Sequence, residues 1–400
     1  TGLEIPLITR INQTYEPLRE NISSVMEYDY YGGLLGGALF AFALLPFLGL
    51  TYTPVLIGSL NLLVASLVLW QFPKRLHRPR ILNIQFAILL VVAMLAFLAA
   101  KPIVLYGEQH KYKDKIVYQE QTRYQKIVIT QWKDDFWLFI NGSTQFSTYD
   151  EERYHEPLVH PVMSLLKEHN DILLLGAGDG LAAKEILKYP DVKTLTLVDL
   201  DPAMTRLARQ DKMFLRINQG SLNDPRVRVL NEDAYQFMKA SSDLYDAIII
   251  DLPDPKSVSL SLLYSLGFYK LVEKHLKPFG AMVTQSTSPL YSPEAFLCIK
   301  QTMQAAGFST LPYQNSVPSM GQWGWVLGIR QKTMPAERLK QEVTARKLSN
   351  IETRFFDQNA MISMANFGKG LFEKEAEIEP NTQFNHNILK YYRQGSWDLY

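Results

Sequence analysis

The 400-residue chain has few of the residues that build covalent or metal-based sites. It contains one cysteine, Cys298, and seven histidines. A single cysteine excludes an internal disulfide and a cysteine metal cluster, and within a helical pattern it is typical of a small buried apolar residue. Basic and acidic residues nearly balance, with a formal net charge of +1, so the composition gives no support for nucleic acid as the main partner. There is no internal repeat or low-complexity tract, and the length predicts two or three domains.

Long apolar runs are almost confined to the first quarter of the chain. Three of them, at about 31–50, 55–72 and 82–105, are each long enough to cross a bilayer as a helix. Small residues in the first run would let neighbouring helices approach closely: Gly32, Gly33, Gly36 and Gly37. We therefore predict a transmembrane region at 1–106 in preference to buried helices of a soluble protein. Because the chain starts at Thr1 and not Met, we expect that further sequence precedes it.

The remainder alternates short apolar runs with helical patterns. Residues 107–150 contain KIVIT, FWLFI and TQFST, with an Asn-Gly turn after the second run, which predicts a small antiparallel β domain. From 151 to 334 strands alternate with helices, which predicts an α/β domain with a Rossmann-like doubly wound sheet and a final antiparallel hairpin. Residues 335–400 form a charged C-terminal extension with little readable chemistry.

A glycine-rich turn follows the first strand of the predicted sheet. The sequence ILLLGAGDG (172–180) places Gly176 and Gly178 between a buried strand and a helix. Glycines let the backbone approach a nucleotide, and the helix N-terminus offers free N–H groups. Such turns are common, but Asp199 ends the next apolar run about twenty residues on, where an acid can hydrogen-bond a ribose hydroxyl. Together they predict an adenosine-containing cofactor.

Acidic residues follow four successive predicted strands. They are Asp179, Asp199, Asp233, and the pair Asp251 and Asp254. An isolated aspartate at a strand end is more often a helix cap, but acids at four strand ends along one sheet edge would make a negative pocket that suits a cation. Two carboxylates three residues apart favour a protonated alkylamine over the neutral nitrogen that many methyltransferases use. Such an amine has a pKa of about 10.4, so a carboxylate must take its proton before it attacks the carbon next to a sulfonium.

The combined motifs resemble the spermidine synthases, the polyamine aminopropyltransferases. They are YQ (124–125), DEERYHE (150–156) with His160, GAGDG (176–180), VDLD (198–201), ED (232–233), DLPDP (251–255) and YSLGFY (264–269). The apolar N-terminal region and the DLPDP form of the motif resemble the long, membrane-attached bacterial branch of this family. The resemblance implies a class I methyltransferase-like fold, decarboxylated S-adenosylmethionine as co-substrate, a diamine such as putrescine as acceptor, and no metal.

The resemblance also implies residue roles. Asp251 would accept the proton and Asp254 would help bind the amine, while His155 and Asp179 would line the junction of aminopropyl group and acceptor. Further candidates for the amine channel are Tyr264 and Gln285. The nucleoside would be held by Gln125, Gly176, Gly178, Asp199, Asp233 and Ala234. The β domain resembles the part through which these enzymes pair, so we expect a homodimer.

Several positions depart from the family pattern. Asp199 stands where the family usually has Glu, and Ala177 replaces the middle glycine of the turn. The stretch Lys256-Ser257-Val258 replaces a Gly-Pro pair in the gate loop, and Met320 stands where many members place a tyrosine against the acceptor amine. These departures bear on the identity of the acceptor more than on the class of reaction.

Two other functions stay open at this point: a membrane-anchored S-adenosylmethionine-dependent methyltransferase, and a non-catalytic polyamine-binding sensor or transport component. Retention of both Asp251 and Asp254 speaks against the second. We expect a multi-pass protein of the bacterial cytoplasmic membrane, with lipid as a partner and the catalytic domain on the cytoplasmic side. The basic loop at 74–80 should also be cytoplasmic. If all three runs span the membrane, the catalytic domain would then lie on the side opposite this loop. The sequence therefore leaves the topology open.

Overall fold

The computed structural model describes residues 4–12, 17–71, 78–348 and 350–399. The chain forms two compact units, Thr1–Lys113 and Asp114–Tyr400. Thr1 and most of the basic loop at 74–80 lie outside the described residues, so the predictions made from them are not addressed by the structure.

The first unit is helical. Its elements are α1 (Glu4–Asn12), α2 (Leu18–Leu39), a π-helical turn (Phe40–Leu44), α3 (Leu45–Gln71) and α4 (Pro79–Gln109). Helix α3 bends at Gly49, whose φ of 65° lies in the left-handed region. Among the residues that the structure describes, three segments are long and apolar enough to cross a membrane by length and composition: Arg19–Gly49, Thr51–Gln71 and Arg80–Gln109. A helix satisfies its own backbone hydrogen bonds, as an apolar surrounding requires, and membrane insertion of these three stays a prediction.

The second unit begins with a four-stranded antiparallel sheet. Its strands are β1 (Lys115–Gln121), β2 (Lys126–Trp132), β3 (Asp135–Ile140) and β4 (Ser143–Ser147), in sequential order. Asn141 and Gly142 connect β3 to β4 with φ values of 52° and 83°, the two positive φ angles that a type I′ hairpin turn requires. Strand β1 was not among the runs that the sequence indicated.

A seven-stranded sheet forms the centre of the second unit, in the order β10-β11-β9-β8-β5-β6-β7. The strands are β5 (Asp171–Gly176), β6 (Thr194–Val198), β7 (Val227–Leu230), β8 (Tyr245–Asp251), β9 (Leu276–Gln285), β10 (Phe308–Val317) and β11 (Gly321–Arg330). Strands β5 to β9 pair in parallel, and β10 and β11 pair antiparallel at one side. The predicted Rossmann-like α/β fold with a terminal hairpin is confirmed.

The direction of winding reverses between β5 and β8. From β5 the chain winds outward to β7, then returns to pair β8 with the other side of β5. In open parallel sheets a ligand crevice opens at the carboxyl ends of the strands that flank such a switch point. The glycine turn after β5 and Asp251 at the end of β8 therefore lie at the position where this fold binds ligands.

Helices cover both faces of the sheet. They are α5 (Glu152–Leu165), α6 (Leu181–Ile186), α7 (Pro202–Gln210), α8 (Lys212–Ile217), α9 (Ala234–Ala240), α10 (Val258–Leu262), α11 (Leu266–His275), α12 (Pro293–Ala305), α13 (Ala336–Ala345), α14 (Gln358–Met364) and α15 (Asn387–Arg393). Strand alternation sends Leu174 and Ile249 into one core and Leu173 and Ile248 into the other. The C-terminal extension contributes to both cores: Leu339 of α13 is fully buried in the first and Ile388 of α15 in the second.

Candidate active site

The site begins where β5 meets β8. Gly176 and Asp251 are register partners in these neighbouring parallel strands. Gly176 has a φ of 83°, and a Cβ built on it would lie 2.1 Å from the Asp251 carbonyl oxygen. Only glycine accommodates both the left-handed backbone and this close approach. The predicted glycine turn and the predicted base are therefore held side by side by the sheet.

The Asp199 carboxylate is fixed by backbone donors at the end of β6. One oxygen accepts from Gly178 N at 3.1 Å and the other from Asp201 N at 2.9 Å. A Cβ at Gly178 would come within 2.6 Å of the Asp199 carboxylate, so glycine is needed for this approach. Burial raises the pKa of Asp199 to about 6. A fixed carboxylate beside a glycine cradle suits a ribose diol, so this part of the chain fits a nucleoside.

Gln125 is brought towards the same edge by the turn between β1 and β2. Thr122 Oγ1 donates to Asp201 Oδ2 at 2.8 Å, and the Thr122 side chain also accepts from Gln125 N at 3.0 Å. Both turn residues are thereby connected to Asp201, which lies two positions after Asp199. The structure thus ties this turn of the small β domain to Asp201, and the predicted contact of Gln125 with the nucleoside stays a prediction.

Asp233 and Ala234 lie at the start of α9. The exposed Asp233 side chain accepts from Gln236 N at 2.9 Å and caps the helix, while Ala234 is buried. The common role of an acid after a strand, a helix cap, is thus present here. One carboxylate oxygen can cap the helix while the other faces a ligand, so the predicted nucleoside contact stays a prediction.

The predicted base, Asp251, has a tyrosine partner. The Tyr154 hydroxyl donates to Asp251 Oδ1 at 2.6 Å, and its ring packs 5.4 Å from Trp325. Burial raises the pKa of Asp251 to about 6, against the lowering effects of nearby His155 and of the Tyr154 hydrogen bond. Tyr154 was quoted within the DEERYHE motif without a role of its own, and its place beside His155 was the signal that could have suggested one.

The His155 ring interacts electrostatically with this carboxylate. Its Nδ1 lies 2.9 Å from Glu151 O and 3.1 Å from Glu151 Oε2; both are acceptors, so Nδ1 carries a proton. Burial lowers the pKa of His155, but the hydrogen bond and charge of Glu151, with the charges of Asp179 and Asp251, raise it to about 9. Lys184 Nζ lies 2.5 Å from the other Glu151 oxygen, so Glu151 is held between two basic groups.

Asp179 faces the same region from the glycine turn. Its Oδ1 accepts from Leu181 N at 2.8 Å, at the start of α6. Burial raises its pKa, while His155 and the Leu181 hydrogen bond lower it. The structure thus brings together the charges of Asp179, His155 and Asp251, and their role at the junction of the two substrates stays a prediction.

Asp254, the second aspartate of the DLPDP motif (251–255), lies in a network of side-chain hydrogen bonds. Gln285 Nε2 lies 2.6 Å from Tyr264 Oη, 2.6 Å from Leu252 O and 3.4 Å from Asp254 Oδ1. The Tyr264 hydroxyl donates to Leu252 O at 2.9 Å. Burial raises the pKa of Asp254. The predicted amine-channel residues Tyr264 and Gln285 therefore fix the loop that carries Asp254.

Two further residues of this network were missed by the sequence argument. Thr287, fully buried with a φ of 57°, donates its N–H to Gln285 Oε1 at 2.9 Å; a β-branched residue in this region stores roughly 1–3 kcal/mol of strain. Tyr392 of α15 donates its hydroxyl to Asp254 Oδ2 at 2.9 Å. Neither follows from a local pattern, because both depend on where distant segments meet. The C-terminal extension thus carries a residue of the site.

We searched the described residues for groups that could hold a metal ion. Among them, no group of three or more His, Cys, Asp or Glu side chains is placed to do so. The carboxylates of the site are instead bonded by backbone N–H groups, tyrosines and Gln285. That donor set suits organic cations and hydroxyl groups.

Comparison with known proteins agrees with this geometry. The model of the spermine/spermidine synthase domain matches residues 151–341. A polyamine aminopropyltransferase of Oceanobacillus iheyensis is 39% identical over 403 residues, covering 100% of this chain and 77% of its own length. Polyamine aminopropyltransferase 2 of Ralstonia nicotianae is 37% identical over 398 residues, covering 98% of this chain and 76% of its own.

Solved structures show the same fold. The crystal structure of spermidine synthase from Thermotoga maritima superposes with a TM-score of 0.56 at 22% identity, covering 66% of this chain and 88% of its own. A spermidine synthase in complex with the transition state analogue AdoDATO superposes with a TM-score of 0.56 at 23% identity and the same coverages. The fold, the site geometry and relatives that align with nearly the whole of this chain agree, and the chain belongs to the polyamine aminopropyltransferases, enzymes that transfer aminopropyl groups.

Proposed function

We propose that the protein moves the aminopropyl group of decarboxylated S-adenosylmethionine to a diamine such as putrescine, giving spermidine and methylthioadenosine. The observation that carries this proposal is the pair Asp251 and Asp254 beside the glycine turn. We assign Asp251 as a base next to the nucleoside site, and Asp254 lies three residues further on in a hydrogen-bonded network. A protein that only binds a polyamine needs a carboxylate such as Asp254 but does not need a base such as Asp251.

Proton transfer is the step that Asp251 performs. The diamine arrives as a cation, with an amine pKa of about 10.4, and its nitrogen has no lone pair until a proton leaves. Asp251 takes that proton, the nitrogen attacks the carbon attached to sulfur, and the carbon–sulfur bond breaks with its electrons on sulfur. The raised pKa of Asp251, about 6, brings the base closer to the amine in proton affinity, which makes general base catalysis more effective.

Alignment is the contribution of the other residues. Asp199, Gly178 and Gln125 hold the nucleoside side, and Asp254 binds the distal ammonium group of the acceptor. With both ends of the reacting pair fixed, the amine is aligned for in-line attack, and orientation of this kind supplies a large part of catalysis. The hydrogen bond from Tyr154 keeps one oxygen of Asp251 in place while the other receives the proton.

Membrane attachment and pairing form the outer part of the proposal. Three helices are long and apolar enough to span, and their apolar windows are at most 6% buried within the chain, so lipid would cover them. We place the protein in the bacterial cytoplasmic membrane with the catalytic unit in the cytoplasm, where its substrates are made, and as a dimer joined through the β1–β4 sheet. Green fluorescent protein fused behind the catalytic unit should fluoresce in cells, and light scattering of the purified protein should give twice the protomer mass.

An acceptor panel tests the reaction itself. Membranes containing the full protein are given decarboxylated S-adenosylmethionine with putrescine, cadaverine, 1,3-diaminopropane or spermidine, and products are identified by mass. We expect methylthioadenosine together with an amine heavier by one aminopropyl group, fastest with putrescine. Intact S-adenosylmethionine serves as the control co-substrate and should give no methylated amine. Absence of methylthioadenosine with every amine, or methyl transfer in the control, would contradict the proposal.

A further inference from the structure

The last part of the C-terminal extension, residues 373–399, reaches the acceptor end of the site. Its Tyr392 is 6% exposed and donates its hydroxyl to Asp254 Oδ2 at 2.9 Å. The matched family domain ends at residue 341, so this contact comes from chain outside that domain. The relative from Oceanobacillus iheyensis aligns with the whole of this chain. The contact therefore belongs to a part of the chain that the common domain does not explain.

The segment is fixed to the helix that follows the gate loop. Asn381, fully buried, donates to Ser261 O at 2.8 Å, and its own carbonyl accepts from Leu266 N at 2.8 Å. His386 Nδ1 lies 2.8 Å from Ser261 Oγ. These contacts hold both ends of the short stretch between α10 and α11. The segment thus restrains the loop of Asp254 from its C-terminal side.

Aromatic packing fixes the Tyr392 ring. The ring lies 4.5 Å from Trp397, whose Nε1 donates back to Tyr392 O at 2.8 Å. Trp397 in turn lies 5.9 Å from Tyr291, and Ser396 N donates to Tyr291 O at 2.7 Å. A tyrosine held in this way presents its hydroxyl in one direction. Its hydrogen bond to Asp254 is therefore preorganised.

The two side-chain bonds to Asp254 are unequal. Gln285 Nε2 is 3.4 Å from Oδ1 and has two closer acceptors at 2.6 Å, so it holds the carboxylate weakly. The Tyr392 bond at 2.9 Å is the shorter of the two, and a hydrogen bond to an ionised acceptor is stronger than a neutral one. Of these two side-chain hydrogen bonds, the one from Tyr392 therefore contributes more to the direction of the Asp254 carboxylate.

We propose that residues 373–399 form a wall at the acceptor end of the site and that Tyr392 is a positioning residue which sets acceptor length. Its hydroxyl fixes the carboxylate that receives the distal ammonium, and so fixes the distance between that ammonium and the nitrogen facing Asp251. The inference rests on the proposed function, because it assigns the acceptor end of that same site. An amine one methylene longer or shorter then places one of its two nitrogens wrongly.

The kinetic test compares Tyr392→Phe with Tyr391→Phe in the full protein. The neighbouring Tyr391 hydroxyl accepts from Glu379 N at 3.3 Å, so the control also removes a hydroxyl from α15, but not from Asp254. In Tyr392→Phe we expect KM for putrescine to rise about tenfold and the preference for putrescine over cadaverine to fall. The KM for decarboxylated S-adenosylmethionine and kcat should stay within about twofold, and the control should match wild type. Unchanged putrescine KM and preference in Tyr392→Phe would overturn the proposal.

Two measurements that need no turnover separate this inference from the proposed function. Cys298 is fully buried and its thiol donates to Glu379 O at 3.3 Å, so alkylation of the Cys298 peptide, followed by mass spectrometry, reports whether the segment leaves its place. It should stay protected in both variants. Amide hydrogen exchange should accelerate in the 252–257 loop of Tyr392→Phe alone. If the wild-type protein releases no methylthioadenosine with any of the amines tested, the proposed function fails. Unchanged amide exchange in the 252–257 loop of Tyr392→Phe overturns the inference independently.

Discussion

The proposed nucleoside side and the proposed acceptor side of the site are held in different ways. At the nucleoside side, the Asp199 carboxylate is bonded by backbone N–H groups of Gly178 and Asp201, which the turn and strand supply whatever the side chains are. At the acceptor side, Asp254 is bonded by side chains that lie 31 and 138 positions away in the chain. The first arrangement belongs to the fold and the second to this particular sequence. Changes in acceptor are therefore expected to arise on the second side.

The largest effect should come from the residue that serves both sides. We expect Asp251→Asn to lower kcat by about 10²-fold or more, because the amide cannot take a proton, while both substrates still bind. Steady-state kinetics with calorimetric binding of methylthioadenosine and putrescine would measure this. Asp243→Asn, an exposed position two residues before the same strand, should behave as wild type. A loss below threefold in Asp251→Asn would show that another group is the base.

Two variants with opposite expected effects on the two KM values test whether the two sides of the site are independent. Asp199→Ala should raise KM for decarboxylated S-adenosylmethionine by about 10-fold to 100-fold and leave KM for putrescine nearly unchanged, since a lost hydrogen bond to a charged group is worth about 1.5–3 kcal/mol. Asp254→Asn should do the reverse. Steady-state kinetics with each substrate varied in turn gives the four values. If either variant changes both KM values equally, the two sides are not independent.

The pH dependence of activity should respond to His155. Asp251 must be ionised to accept a proton, so with its pKa at about 6 kcat/KM should fall as the pH drops below about 6. The charge of His155 lowers the pKa of Asp251, so His155→Gln should move this acid limb to higher pH. Profiles of kcat/KM from pH 5 to 9 for wild type and variant test this. An acid limb that stays in place would mean that His155 does not influence the base.

A smaller effect concerns stability. The pKa of Asp251 in the folded chain is about 6, above the ordinary 3.8, so ionisation costs folding free energy and that cost is complete above about pH 6. Asp251→Asn should therefore raise the unfolding temperature by a few degrees at pH 7.5, with a gain that shrinks as pH falls from 6 towards 4. Differential scanning fluorimetry at several pH values measures it. A gain that does not vary with pH would have a cause other than this charge.

Much of the site could be predicted from the sequence because it is local. The glycine turn, Asp199 and Asp251 each lie at the end of a recognisable strand, and parallel strands bring such ends to one edge. Tyr154 was within a quoted motif, yet nothing in its neighbours shows that its hydroxyl reaches Asp251. Thr287 and Tyr392 were out of reach, because their roles depend on contacts between distant segments. The C-terminal extension looked featureless since its helices are short and its partners lie elsewhere.

The pairing of Gly176 with Asp251 has a consequence for how such enzymes diverge. The two residues are joined by the ladder of adjacent strands, whose spacing of about 4.8 Å is a property of every sheet. The distance from the donor's binding turn to the base is thus constant and needs no closing motion. Substitutions at the far end of the acceptor pocket can alter which amine is used while that distance stays the same. New polyamine specificities can therefore evolve without loss of the chemical step.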